Sequence, residues 1–431
     1  MSRSIEAHVR ALRELLRAHR PDDAARALPL SRAGGRVLAR DVVAPLDLPP
    51  ETNSQMDGFA VRAVDLEPAL THGAVELPVA ATRAAGSVPS RHEPGTATAV
   101  MTGAALPAGA DTVVPVERVL PARFDTPAVT VAAETARAHP AGTFVREAGS
   151  DVARGAVALP AGTVLGPAAV GACAALGLPP EHEVTVHRGP RVLVVSGGDE
   201  VLPAGEPLRP GTVHDANAPL LHEWLVGAGA ERVTHLRVDD DPRAFVRGLG
   251  AAVERDRPEL VLTSGGISAG AFEVVRQGLG AAGTATWFGH VAMQPGGPQG
   301  CGTVQGVPVV CLPGNPVSTW VSCEVLVRPA LAAVWGCCAP PRRLTAVLVR
   351  TATPLADRTQ LRRGALAGQD TAAPRVVLVG GASSHLLTAA AGADVLVVIP
   401  PGERPLAAGT PVTVLPVAGG VLTPRAGEAP G

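Results

Sequence analysis

The chain has 431 residues, more than one hydrophobic core usually organises, so size alone predicts two to four domains. A formal net charge of −2, no lysine and 2% aromatic residues exclude a broad nucleic-acid surface, which needs clustered cations interleaved with stacking rings. Small molecules are therefore the expected ligands, with no nucleic acid among the partners. Cys173, Cys301, Cys311, Cys323, Cys337 and Cys338 show neither CxxC pairing nor histidines at zinc-site spacing, so they are expected to be reduced and mostly buried.

In residues 4–17, Ile5, Val9, Leu12 and Leu16 recur on one helical face, which predicts an amphipathic helix rather than an export signal and hence a cytoplasmic protein. Residues 37–43 form an apolar run, and the turn-rich residues 45–50 follow it. Over residues 51–146 short apolar runs alternate with Pro and Gly, including 97–102 and 112–116, and predict a β-rich module. Inside it Asn53, Ser54, Met56, Asp57 and Gly58 form a compact polar turn; Asp57 there either ligates a metal or water, or makes an Asx turn before a strand. Residues 160–178 read as helix.

Three units then share one layout: residues 192–200 (VLVVSGGDE), 261–270 (VLTSGGISAG) and 307–318 (VPVVCLPGNPVS). Each passes from a β-branched run through a loop of Gly, Pro, Asn or acidic residues towards helical spacing, as Trp320, Leu326 and Leu331 show. Repeated βα units over residues 184–328 predict a parallel sheet, whose ligands bind beyond the carboxyl ends of the strands, so the loops should converge on one crevice. Gly265 and Gly266 ahead of a helix at 272–279 suit an oxyanion. Asp199, Glu200, Asp215, Asn217, Asp239, Asp240 and Asp241 add hard oxygen donors of the kind Mg²⁺ takes beside substrate phosphates, with helix capping and solvated loops as the alternative. Residues 164–178 are too short to span a membrane, and 317–338 are interrupted by Glu324, Arg328 and Pro329. Short strands return over residues 344–417, clearest at 376–379 and 395–399, and predict a small β domain.

NSQMDGFAVRA (53–63), MTGAALPAGADTVVPVE (101–117), GDE (198–200), TSGGISAG (263–270) and LPGNPVS (312–318) resemble the molybdopterin molybdenumtransferases, the molybdenum-insertion enzymes of cofactor biosynthesis, and are similar to the carboxyl-terminal domain of gephyrin. The resemblance runs in order from Ile5 to Val417. It implies a multidomain α/β protein: an elongated amino-terminal domain (1–44 with 146–183), a β-rich insert (45–145), a molybdopterin-binding parallel-sheet α/β domain (184–329) and a carboxyl-terminal β-barrel-like domain (340–420). It also implies a homodimer, with a cleft formed by the α/β domain of one subunit and the insert of the other. Partners in molybdenum cofactor biosynthesis are implied as well. The implied reaction takes adenylylated molybdopterin and molybdate, uses Mg²⁺ and releases AMP.

By the same resemblance Asp57, Thr102, Asp151, Glu200, Asp240 and Glu273 are the catalytic residues, and Asp57, Glu200, Asp240 and Glu273 the Mg²⁺ ligands; Asp241 is one register step from Asp240. Gly198, Asp199, Asp215 and Asn217 belong to the ligand site, as do Ser264, Gly265, Gly266 and Ser268. Pro295 and Gly296, and then Pro313, Gly314, Asn315 and Pro316, complete it. The family's basic segment resembles KLAIKPGKP, whereas residues 290–298 read HVAMQPGGP, with His290, Gln294 and Gly297 in place of lysines. Ser150 and Gly197 likewise replace a glutamate and a threonine. A glutamine or glycine cannot neutralise molybdate or a pterin phosphate, and Arg62 and Arg146 are the candidates to supply that charge in an active enzyme. The alternative is a divergent paralogue that binds molybdopterin or nucleotide without metal insertion, as carrier, regulator or assembly partner.

Overall fold

A computed structural model describes residues 2–83, 86, 91–267, 274–281, 285–367 and 374–417. The chain divides into two compact units, Pro29–Gly34 with Arg40–Val184, and Met1–Leu28 with Gly35–Ala39 and Thr185–Gly431.

In the first of these, Gly58–Val61 (β1), Ala74–Arg83 (β2), Ala97–Val100 (β3), Thr112–Pro115 (β4) and Ala128–Ala132 (β5) form one sheet ordered β4-β1-β3-β2-β5. Only β2–β3 is a parallel pair. β1, β3 and β4 are buried at every position, which is why they read as short unbroken apolar runs rather than as alternating strands. Successive residues still face opposite ways: Phe59 and Val61 join a core with Leu77, Val114 and Val131, while Ala60 packs with Val100 and Val113. Within the apolar run at 37–43 only Val42–Val43 is a named strand, paired with Val157–Leu159. The helix expected at 160–178 is only Pro167–Ala175, because the chain first turns through Gly162 at φ +88° and Pro167 then fits the first helical turn.

In the other unit, Ile5–Ala18 (α1) starts where Ser4 Oγ accepts from the Ala7 amide at 3.1 Å, and it buries His8, Val9, Leu12 and Leu16. Arg191–Gly197 (β6), Arg232–Val238 (β7), Leu260–Ser264 (β8), Trp287–His290 (β9), Pro298–Val304 (β10) and Val307–Leu312 (β11) make a sheet ordered β7-β6-β8-β11-β10-β9. β7, β6, β8 and β11 run parallel as expected, but β10 and β9 are antiparallel to their neighbours, so the sheet is mixed. The physical reason is the tight link at Gln305 and Gly306, which returns the chain from β10 directly into β11 as a hairpin with no room for a crossover helix.

One face of the sheet, with Val192, Val194, Leu260 and Leu262, packs against α1 and Asn217–Gly227 (α2). The other, with Leu193, Val195 and Val261, packs against Phe245 and Leu249 of Pro242–Asp256 (α3) and Leu279 of Val274–Ala281 (α4). The stretch Pro316–Trp335 is long and apolar enough to cross a membrane, yet 72% of its apolar window is buried inside this unit, so it is a core helix here. It consists of Pro316–Ser322 (α5), a π-helical turn at Cys323–Val327, and Arg328–Trp335 (α6); the wide turn just before Pro329 accommodates a ring and a missing N–H that would otherwise break the helix.

Leu344–Leu348 (β12), Thr359–Ala367 (β13), Arg375–Leu378 (β14), Val395–Ile399 (β15) and Pro411–Pro416 (β16) follow the order β13-β14-β12-β16-β15, and β13 also pairs β15. The five strands thus close into a barrel around Leu348, Val376, Val397 and Val414, which leaves no free sheet edge among them.

Candidate active site

The loops that follow β6, β8 and β11 line one cleft of about 470 Å³ at the carboxyl ends of the strands. Glycine suits two positions here: Gly198 takes φ +134°, where a Cβ would also press to 2.5 Å from the Glu200 carboxylate, and a Cβ at Gly314 would lie 3.2 Å from the Gly265 Cα, tighter than ordinary contact. The first lets Glu200 fold back over its own loop. The second lets the β8 and β11 loops meet backbone to backbone.

Of the residues expected in the site, Glu200, Asp215, Asn217 and Asp240 line the cleft, with Ser264, Gly265 and Gly266 and with Pro313, Gly314 and Pro316. Gly198 and Asp199 sit just behind: Asp240 Oδ2 accepts from the Asp199 amide at 3.1 Å and Asp199 Oδ1 from the Asp240 amide at 3.3 Å. Asp241 caps α3 by accepting from the Arg243 amide at 2.8 Å, so Asp240 is the member of the pair that faces the cleft. Asn315 Oδ1 caps α5 instead of lining the cleft. Pro295 and Gly296 are buried and outside the lining. Ser268 and Glu273 lie outside the described residues.

Asp215 is more heavily engaged than its motif suggests. Oδ1 accepts from the amides of Asn217 and Ala218, both at 2.9 Å, and caps α2. Oδ2 accepts from Ser196 Oγ at 2.6 Å, and Ser196 Oγ also lies 2.8 Å from His235 Nε2. Asn217 Nδ2 donates to the Gly314 carbonyl at 2.7 Å, while Asn217 Oδ1 is buried without a partner among the described residues. Sequence reasoning passed over Ser196 and His235; the adjoining glycine pair marks Ser196, but nothing local marks His235, which is brought in by the parallel register of β6 and β7.

In the other unit, Asp57 Oδ1 accepts from the Thr102 amide at 2.6 Å and the Thr102 hydroxyl at 2.8 Å. Both bonds favour the charged form and hold the Asp57 carboxyl below the usual range. The local Asx turn is thus replaced by a bond to a residue 45 positions away, while Ser54 Oγ donates to the Met56 carbonyl at 2.6 Å. Asp151 stands on an exposed bend, its amide bonded to the Leu48 carbonyl at 2.9 Å.

Of the four expected Mg²⁺ ligands, Glu200 and Asp240 line this cleft, Asp57 belongs to the other unit and Glu273 lies outside the described residues; among the described residues no group of three or more His, Cys, Asp or Glu side chains is placed to hold a metal ion. The carboxylates of the cleft, Glu200, Asp215 and Asp240, come from separate loops. The two candidate arginines are engaged, Arg62 with Asp65 and Arg146 Nη1 with Asn53 Oδ1 at 3.3 Å. His290, Gln294 and Gly297 are absent from the cleft lining; Gln294 instead accepts from Gln360 Nε2 at 3.2 Å. All six cysteines are free and buried, and burial pushes the Cys311 thiol up to about 12.

Residues 3–177 match the MoeA N-terminal region (domain I and II), residues 193–333 a probable molybdopterin binding domain, and residues 345–417 the MoeA C-terminal region (domain IV). The chain is 41% identical over 421 residues to molybdopterin molybdenumtransferase 2 of Mycobacterium tuberculosis, covering 96% of this chain and 99% of that protein. It is 35% identical to the molybdopterin molybdenumtransferase of Synechococcus elongatus, covering 90% and 93%. Among solved structures, a molybdopterin biosynthesis MoeA protein from Pyrococcus horikoshii superposes with a TM-score of 0.68 at 26% identity, covering 96% of this chain and 99% of that one. With each cleft loop falling in a matched region and the likeness running nearly end to end, the chain belongs to the molybdopterin molybdenumtransferase family.

Proposed function

We propose that this chain transfers molybdate-derived molybdenum to adenylylated molybdopterin and releases AMP. The observation that carries the reading is the cleft itself, where three strand-end loops meet Glu200, Asp215 and Asp240 in a chain whose relatives are named for this transfer. Molybdate and an adenylyl phosphate are anions, and the described lining contains carboxylates and no arginine. Direct binding would therefore be repulsive without a cation. Glu200 and Asp240 fit Mg²⁺, which takes one or two carboxylates and fills its remaining positions with water and substrate phosphate oxygens. Bound there, Mg²⁺ would neutralise charge and polarise the phosphoryl oxygen.

The chain's own contribution is positioning. The bare backbone at Gly265, Gly266 and Gly314 permits close approach of a phosphate or pterin, and Asp215 holds the start of α2 so that Asn217 faces the ligand. Asp57, held charged by Thr102, together with Asp151 and Glu273, is proposed to act on the same substrates. The four-part division of the chain, a homodimer, a cytoplasmic location and partners in cofactor assembly belong to the same proposal; sedimentation at micromolar concentration tests the dimer.

The deciding experiment is AMP release from adenylylated molybdopterin with Mg²⁺ at increasing molybdate. Release that rises with molybdate supports the transferase, and tight pterin binding without release supports the non-inserting paralogue instead. Asp57→Ala and Glu200→Ala are each expected to abolish release while circular dichroism and the thermal midpoint stay as in the parent, because both side chains are exposed and outside the core.

A further inference from the structure

The cleft is connected to the outer edge of the sheet by an unbroken chain of hydrogen bonds. Ser196 is 2% exposed, and its hydroxyl lies 2.6 Å from Asp215 Oδ2 and 2.8 Å from His235 Nε2. A hydroxyl has one proton. An ionised carboxylate only accepts, so Ser196 donates to Asp215 and must accept from a protonated His235 Nε2. The direction of every bond is then set: His235 to Ser196, Ser196 to Asp215, and the amides of Asn217 and Ala218 to the other Asp215 oxygen. Asn217 Nδ2 carries the chain on to the Gly314 carbonyl. Five residues on β7, β6, the α2 cap, α2 and the β11 loop are tied in series, and all except His235 line the cleft.

His235 lines a separate hollow of about 240 Å³ with Val194, Ala218, Val233 and His222. Partial burial, reinforced by His222 and opposed by Asp215, pulls the His235 imidazole below its ordinary range, so at neutral pH it is uncharged with its one proton on a single nitrogen. Were that proton on Nδ1, Ser196 would turn its hydroxyl toward the ring and present lone pairs to Asp215 Oδ2. Asp215 would then be held on one side only. At the far end of the series Asn217 lines the cleft, and its Oδ1 is a buried acceptor with no protein partner among the described residues.

We propose that His235 is a positioning residue for ligand binding: through Ser196 and Asp215 it holds the start of α2, and with it Asn217, in place as the wall of the cleft against which the pterin or adenine binds. His235 itself touches no ligand. This inference rests on the proposed function of the cleft.

The test compares His235→Leu, His235→Gln, Ser196→Ala and the double variant Ser196→Ala/His235→Leu in the full-length chain. Affinity for AMP with Mg²⁺ is read by calorimetry, and KM and kcat are read with adenylylated molybdopterin. Removing the donor in His235→Leu is expected to weaken AMP binding and raise KM about five- to tenfold, the effect of one hydrogen bond, with kcat within about twofold. The glutamine Nε2 donates without titrating and should restore both values to within about twofold of the parent. The double variant should be no worse than Ser196→Ala, because the two act through one bond. Wild-type-like AMP affinity and KM in His235→Leu overturn the proposal, as does a double variant whose loss is the product of the two single losses. If His235→Leu does not fold, Ser196→Ala and His235→Gln carry the same comparison. Glu200→Ala separates the levels: turnover surviving that change overturns the reading of the cleft, whereas its loss alongside an unaffected His235→Leu overturns the positioning role alone.

Discussion

Asp57 shows how much a single side chain depends on a distant one. Its carboxylate is held by the amide and hydroxyl of Thr102, and of these only the hydroxyl can be removed by substitution. Thr102→Ala is expected to let the Asp57 carboxyl rise partway to its usual range and to lower kcat about tenfold, with Thr102→Ser retaining most activity; steady-state kinetics and carboxyl titration by NMR check both. His8 is a different case, fully buried with neither ring nitrogen partnered among the described residues and its ring 5.3 Å from that of Trp287. Burial, aided by the charge of Arg3, lowers its pKa to about 4. The unfolded chain therefore takes up the extra proton between pH 6.5 and 4: the contribution is complete above about 6.5 and is lost as pH falls, by about 3 kcal/mol. Urea unfolding at pH 7 and pH 4.5 should show that loss in the parent and much less of it in His8→Phe.

At the scale of elements, polar residues within an apolar helix mark where the fold pairs them. Glu324 lies in the π-helical turn, 5% exposed, and accepts from Arg328 Nε at 2.7 Å and Trp224 Nε1 at 2.8 Å. Glu324→Ala strands a half-buried guanidinium and a buried indole N–H, so chemical denaturation should report a loss of about 3 kcal/mol. Glu324→Gln keeps an acceptor for Trp224 and should lose less. These same charges argued in the sequence against a membrane span, and the burial of Pro316–Trp335 within its own unit supplies the structural counterpart. The parallel strands were legible because both their faces are covered and they read as apolar runs. The antiparallel return of β10 was not, since direction depends on a two-residue link rather than on strand composition.

For the whole molecule, the separate cores of the two units predict separate unfolding. Phe59 is fully buried among Val61, Leu77, Val114 and Val131, all within one unit. Phe59→Ala should destabilise that unit by about 3–5 kcal/mol. Calorimetry is expected to show one transition move down while that of the other unit stays in place, and a single transition moving as a whole would show the units to unfold together. The barrel offers a different kind of closure: β13 pairs both β14 and β15, which satisfies backbone groups that an open sheet would present to solvent.

By itself the sequence determined the family, the βα repeats and most of the residues around the cleft, because glycine loops after apolar runs are local patterns imposed by backbone geometry. It could not choose between Asp240 and Asp241, which differ by one register step; the cap of α3 made that choice. Nor could it pair Asp57 with Thr102 or find His235, since those contacts join residues 45 and 39 positions apart. Hydrogen bonds of that range exist only once strands have taken their register, and register is set by the packing of whole sheets, so the tertiary structure alone decided which polar residues work together.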